Sequence, residues 1–149
     1  MTHDDDGRAM IEFVFLGVLT LVPLLYLVVA VFQVERNVFA VTQAAREAGR
    51  AYATAADPAS AERRASYAAD LALRDQGLGS SGVSLRYLPV SASCGSAAAG
   101  AQTLAPGAEF AVCVTRTVQL PGVPGYLAGR RNTVTGRYVV HIDDFRVSR

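Results

Sequence analysis

"FVFLGVLTLVPLLYLVVAVFQVERNVFAVTQAAREAGRAYATA", from Phe13 to Ala55, is written in two codes that meet near Gln33. Its first twenty residues, Phe13 to Phe32, carry no charge, and fifteen of them are Leu, Val or Phe. Twenty helical residues reach about 30 Å, the thickness of a bilayer's hydrocarbon core. Each Leu, Val or Phe contributes roughly 0.3–0.6 kcal/mol to insertion, and the sum exceeds what Gly17, Thr20 and Pro23 subtract. The run is too long and too uniformly apolar for an ordinary core helix, so it reads as a transmembrane helix. A cleaved secretory signal is the rival reading. Its apolar core is shorter and its leading residues are basic, whereas "MTHDDDGR" is acidic on balance.

After Gln33 the pattern changes. "VERNVFAVTQAAREAGRAYATA" places apolar or small residues at Val34, Val38, Val41, Ala45, Ala48, Tyr52 and Ala55, in steps of three and four that keep one helical face. Glu35, Arg36, Gln43, Arg46, Glu47 and Arg50 fall on the other side. The expectation is one long helix that leaves the membrane and turns a narrow, Ala-rich seam toward a partner chain or toward its own domain. Asp57-Pro58 ends it and starts the next, with Asp57 as N-cap and Pro58 as first helical residue. The second helix, "ASAERRASYAADLALRDQ", stops at Gly77. Beyond "GLGSSG" the period becomes two. Val83, Leu85 and Tyr87 alternate with polar residues, Phe110, Val112 and Val114 do the same, and "TVTGRYVVHI" makes a third strand, with "FRVS" a candidate fourth. "PGVPGYLAGRRN" reads as a surface loop between the last two long strands.

The fold class expected is α+β: a long N-terminal transmembrane helix continuing outside the membrane, a second helix and a small antiparallel sheet. With 149 residues the natural division is a leader at 1–7, a membrane helix at 8–33, its extramembrane continuation at 34–56, and one small domain at 57–149. The net charge of +1 arises from 14 arginines, with no lysine, against 13 acids spread along the chain. No basic stripe forms, which argues against nucleic acid as a partner.

Cys94 and Cys113 flank the low-complexity run "GSAAAGAQTLAPGAEFAV". A disulfide there would close a floppy loop and require an oxidising compartment, whereas two free thiols are the alternative. Catalysis finds little to stand on. His3 lies in the leader beside three aspartates, and His141 lies in a strand without a sequence-local nucleophile or metal ligand. An enzyme would need a pocket joining His141 to acids such as Asp143 or Asp144. Gly77, Gly79 and Gly82 follow a helix and precede a strand, the wrong order for a phosphate cradle. No cofactor, metal or small-molecule substrate is implied.

Glu12, set directly before the apolar run, carries the functional reading. Gly7, four residues, Glu12-Phe13 and then an apolar helix resembles the prepilin processing site of type IV pilin-like proteins. More narrowly, Glu12-Phe13, an apolar stretch interrupted by Pro23, and "AAREAGR" with Ala44, Ala45, Arg46, Glu47 and Arg50 resembles the TadE-like pseudopilins of the tight-adherence (Flp) pilus system. The acidic leader and Arg8 depart from that family's pattern of a basic leader and an apolar first residue. The resemblance implies cleavage between Gly7 and Arg8 by a prepilin peptidase, which would make Glu12 the fifth residue, placed to neutralise the new α-amino group. Its implied partners are the lipid bilayer, the peptidase, other pilins or pseudopilins, and the membrane proteins of the assembly machinery. The expected location is a single-pass cytoplasmic membrane protein whose C-terminal domain is extracytoplasmic. Arg36, Arg46 and Arg50 just beyond the span, against one Arg8 before it, run counter to the positive-inside bias; the cysteine pair and the motif outweigh that bias here. A signal-anchored extracellular binding module is the alternative.

Overall fold

The computed structural model describes residues 5–97, 100, 102–118 and 132–146, with side chains from Met10 onward. Helix α1 spans Asp5–Ala53 with Pro23 inside it, and α2 spans Pro58–Asp75. Three strands follow, β1 (Val83–Leu88), β2 (Glu109–Thr117) and β3 (Thr133–His141). They form one antiparallel sheet in the order β1-β2-β3. The chain is therefore α+β, as the change from period 3.6 to period two requires. It separates into two compact units, residues up to Gln33 and residues from Val34 onward.

In the first unit the helix is bare. Phe13 is 77% exposed, Leu19 59% and Phe32 66%, so the apolar run has no protein cover. It is long and apolar enough to cross a membrane.

The second unit is built on the rest of α1. Val41, Ala45, Ala48, Tyr52 and Ala55 of the expected seam are buried, together with Ala40 and Ala44. They join one core with α2 and the sheet, which decides for the chain's own domain between the two destinations expected for this stretch. Val34 and Val38 do not join them and stay 38% and 43% exposed. The buried face also takes in Asn37, Ala40 and Ala44. Glycine lets α1 and the sheet approach closely from both sides. A methyl group on Gly136 of β3 would collide with the backbone of Val41 and Thr42. One on Gly49 of α1 would lie 2.6 Å from Val140 Cγ2 and 2.7 Å from Tyr138 Cδ1. A glycine inside a strand marks this kind of close backbone approach.

Alanine seams bury little area per residue, so the aromatic residues carry much of the core. Tyr52 of α1 packs with its ring 4.9 Å from both Tyr87 of β1 and Phe110 of β2. Each such side chain removed from water contributes on the order of 1.5–3 kcal/mol. The Tyr52 hydroxyl donates to the Gln102 carbonyl at 2.8 Å, which gives the buried ring a polar exit.

Helix α2 starts as its sequence specifies. Asp57 Oδ1 accepts from Ser60 N at 2.9 Å, the Ser60 hydroxyl reaches back to the Asp57 amide, and Pro58 takes the first turn. Gly77, at φ 66°, closes the far end by donating to the Arg74 carbonyl at 2.7 Å. Ala61, Ala65, Ala69, Ala72 and Leu73 form its buried stripe.

The candidate fourth strand does not form over its described residues. Phe145 sits in a turn, its amide donating to Asp143 Oδ1 at 2.8 Å, and its side chain is 93% exposed. An aspartate one or two residues before an amide competes for it and makes a turn rather than a ladder. Most of "PGVPGYLAGRRN" lies outside the described residues.

Candidate functional site

The residues singled out by the sequence fall into three separate places. Glu12, Phe13 and Pro23 lie on the bare part of α1, Phe13 with an exposed side chain. Gly7 and Arg8 are helical, but their side chains lie outside the described residues. Pro23 lies inside the continuous helix, where it removes one intrahelical hydrogen bond.

The "AAREAGR" segment divides by chemistry. Ala44 and Ala45 are fully buried in the core, whereas Arg46 and Arg50 are exposed and Glu47 accepts from Gln43 Nε2 at 3.1 Å. Its small residues serve packing, and its charges are left on the surface.

Cys94 and Cys113 form a disulfide with Cα atoms 5.7 Å apart. The bond belongs to a larger fastening. Arg86, Cys113 and Arg137 are register partners across β1, β2 and β3, side by side on the face of the sheet opposite α1. Cys113 holds the strap after β1 covalently. Arg86 donates to the carbonyls of Ser96 at 2.7 Å and of Cys94 and Ala97, and Arg137 donates to that of Val90. Neither arginine stood out in the sequence; the signal was present as a cation on each strand next to the cysteine's, legible only once the register is known.

This use of arginine recurs. Arg36 donates to the Gln76 carbonyl after α2, and Arg116 to that of Gly79. At the C-terminus of α1, Arg64 Nη1 donates to Thr54 O at 3.2 Å, and Arg146 donates to Ala53 O at 2.6 Å and to Ala55 O. Cations are well placed there, since the last carbonyls of a helix carry partial negative charge. Among the described residues the arginine–carboxylate ion pair is Arg74–Asp70, at 2.7 Å. Six guanidinium groups in this unit, those of Arg36, Arg64, Arg86, Arg116, Arg137 and Arg146, bind backbone.

His141 does have acids beside it. Its Nδ1 lies 3.2 Å from Glu109 Oε1 and its Nε2 3.5 Å from Asp144 Oδ2. Glu109 is its register partner on β2, and Asp144 follows in the turn. The hydrogen bond to Glu109, aided by Asp144, raises the His141 pKa above 6.5. The two acids grip opposite edges of an exposed ring and do not converge on one point, which is the geometry of a surface tie rather than of a metal or a proton relay. Among the described residues no group of His, Cys, Asp and Glu could hold a metal ion.

A cleft of about 670 Å³ in the second unit opens at the α1–α2 connection and is walled by Thr54, Asp57, Arg64, Thr103, Leu104 and Arg146. His141 does not line it. No protein-family model, curated protein or solved structure matches this chain.

Proposed function

We propose that the protein is a TadE-like pseudopilin that acts in assembly of a tight-adherence pilus or a related secretion fibre. In this reading residues 13–32 span the cytoplasmic membrane and the unit from Val34 onward is extracytoplasmic. A prepilin peptidase cuts between Gly7 and Arg8. The α-amino group released on Arg8, with an ordinary pKa near 8, is cationic at the head of a helix in lipid. Glu12, one turn along, neutralises it on the same or a neighbouring chain, because an unpaired charge there costs several kcal/mol.

The observation that carries this reading is Glu12 directly before the run from Phe13 to Phe32, whose large apolar side chains all lie open. The burial of Ala44 and Ala45 gives a structural reason for the small residues of the "AAREAGR" segment. The disulfide fits an oxidising compartment for the second unit. We assign no catalytic role, cofactor or nucleic-acid partner.

The direct test is the intact mass of the membrane-extracted protein expressed with and without a prepilin peptidase. Loss of Met1 to Gly7 only with the peptidase supports processing, and an uncut chain in both samples removes it. Glu12→Ala then separates the readings: a pseudopilin inserts but fails to assemble, whereas a signal-anchored binding module keeps its function. That second reading draws on the cleft at the end of α1, which a mere assembly subunit does not need.

A further inference from the structure

The cleft at the α1–α2 connection is lined by charge that the fold leaves partly unspent. Arg64 commits one N–H to Thr54 O, and Arg146 commits its two terminal nitrogens to Ala53 O and Ala55 O. A guanidinium has five N–H donors, so each arginine retains several. Among the described residues neither forms an ion pair with a carboxylate. Asp57, on the same wall, is occupied by the α2 cap: Ser60 donates to it from its amide at 2.9 Å and from its hydroxyl at 2.7 Å. Those bonds lower its pKa and keep it ionised, yet each of its oxygens has an acceptor position to spare. Thr103 Oγ1 accepts from Ala105 N at 3.1 Å, which leaves its own hydrogen free. Apolar surface comes from Ala55, Pro58 and Leu104.

We propose that this cleft binds a hydroxylated carboxylate of the sugar-acid class. Planar guanidinium groups match a carboxylate through paired N–H donors, and two of them border the opening. The Asp57 carboxylate opposes a second negative charge, which disfavours phosphate and sulfate esters, and it accepts from a ligand hydroxyl. Ala55, Pro58 and Leu104 meet the C–H face of a sugar ring. The volume lies within the 300–1,000 Å³ typical of small-ligand sites. Counted from Val34, the α1 end that borders the cleft is twenty helical residues away, about 30 Å, at the end of the unit remote from the chain's entry. This site does not rest on the pseudopilin reading.

The test is a titration of the full-length protein in detergent micelles with galacturonate, its neutral methyl ester, galactose and acetate, followed by amide shifts of Ala55, Ala56 and Thr103. Galacturonate is expected to saturate with a Kd of about 1–10 mM, a weak single-residue subsite of about −3 to −4 kcal/mol. The ester and galactose should bind at least tenfold more weakly, and acetate should fall between. R64Q should lose about tenfold, and R64K should recover part of it, since a point charge replaces a fork. Equal binding of acid and ester, unaltered binding by R64Q, or no saturable shift with galacturonate would each overturn the proposal. Should R64Q fail to fold, T103V takes its place: a several-fold loss is expected, and unchanged affinity refutes the site. Because the readout is binding in solution, it is independent of whether Gly7 is cut.

Discussion

Helix α1 is one element with two fates. Up to Gln33 its large apolar side chains are exposed, whereas from Asn37 it is the spine of a compact unit. The first part is rich in Leu, Val and Phe and the second in Ala, which inverts the naive rule that larger apolar residues go inside. The difference lies in the neighbour. Lipid tails would conform to any outline, so for a helix that crosses a membrane bulk alone is favourable; a β-sheet is stiff, and a helix approaches it closely only where its own side chains are small. The same helix therefore uses volume in one half and the lack of volume in the other.

Glycine-to-alanine changes sharpen that contrast. Gly136→Ala should be the most damaging, since the new methyl meets the backbone of Val41 and Thr42, which cannot rotate away. We expect a loss of about 3 kcal/mol or more, at the upper end of overpacking, read as a lowered denaturation midpoint of the second unit by tyrosine near-ultraviolet dichroism. Cys94→Ser should cost about 3 kcal/mol, the chain-entropy value for a separation of 19 residues, by the same measurement. An equal effect of dithiothreitol on the unaltered protein would identify the bond as its cause.

Gly49→Ala and Gly17→Ala form the matched pair within α1. At Gly49 the methyl presses on Val140 and Tyr138, whereas at Gly17 nothing lies within 4 Å. We expect the first to cost about 1–3 kcal/mol and the second to be neutral or to gain up to about 1 kcal/mol of helix propensity. Similar losses at both positions would break the comparison. The smallest effect concerns pH. His141 has a raised pKa because Glu109 and then Asp144 favour its charged form. Its contribution is complete below the unfolded value of 6.5 and is lost as pH rises through the folded value. A shallow fall in stability across that window is expected, absent in His141→Gln, and a rise would contradict the two contacts.

Much of this was readable in advance, for identifiable reasons. The apolar run, the Asp57-Pro58 junction and the alternation at Val83, Phe110 and Thr133 each reflect a local preference that the fold does not oppose. The Cys94–Cys113 disulfide was expected over two free thiols and is present, whereas Arg86 and Arg137 beside Cys113 emerge only from the register. Val34 and Val38 were assigned to the seam on spacing alone, and spacing does not say how near the sheet will come. The close contact at Gly136 was foreshadowed by a glycine in the middle of "TVTGRYVV". The arginine–carbonyl clamps were not legible, because their partners are backbone atoms up to 93 positions away, and a carbonyl leaves no mark in a sequence.

That last separation has a consequence for how the protein is made. Arg146 closes the end of α1 by reaching Ala53 and Ala55, 93 and 91 residues back. At about 5–20 residues per second, a ribosome needs roughly 5–20 s to bring the two together. Throughout that interval Val41 to Ala55 lacks the complete three-stranded sheet to lie on, and its apolar strip trails directly behind the hydrophobic run. The newborn chain thus carries two sticky stretches in tandem, and it becomes sorted into a bare half and a covered half only when β3 and Arg146 arrive.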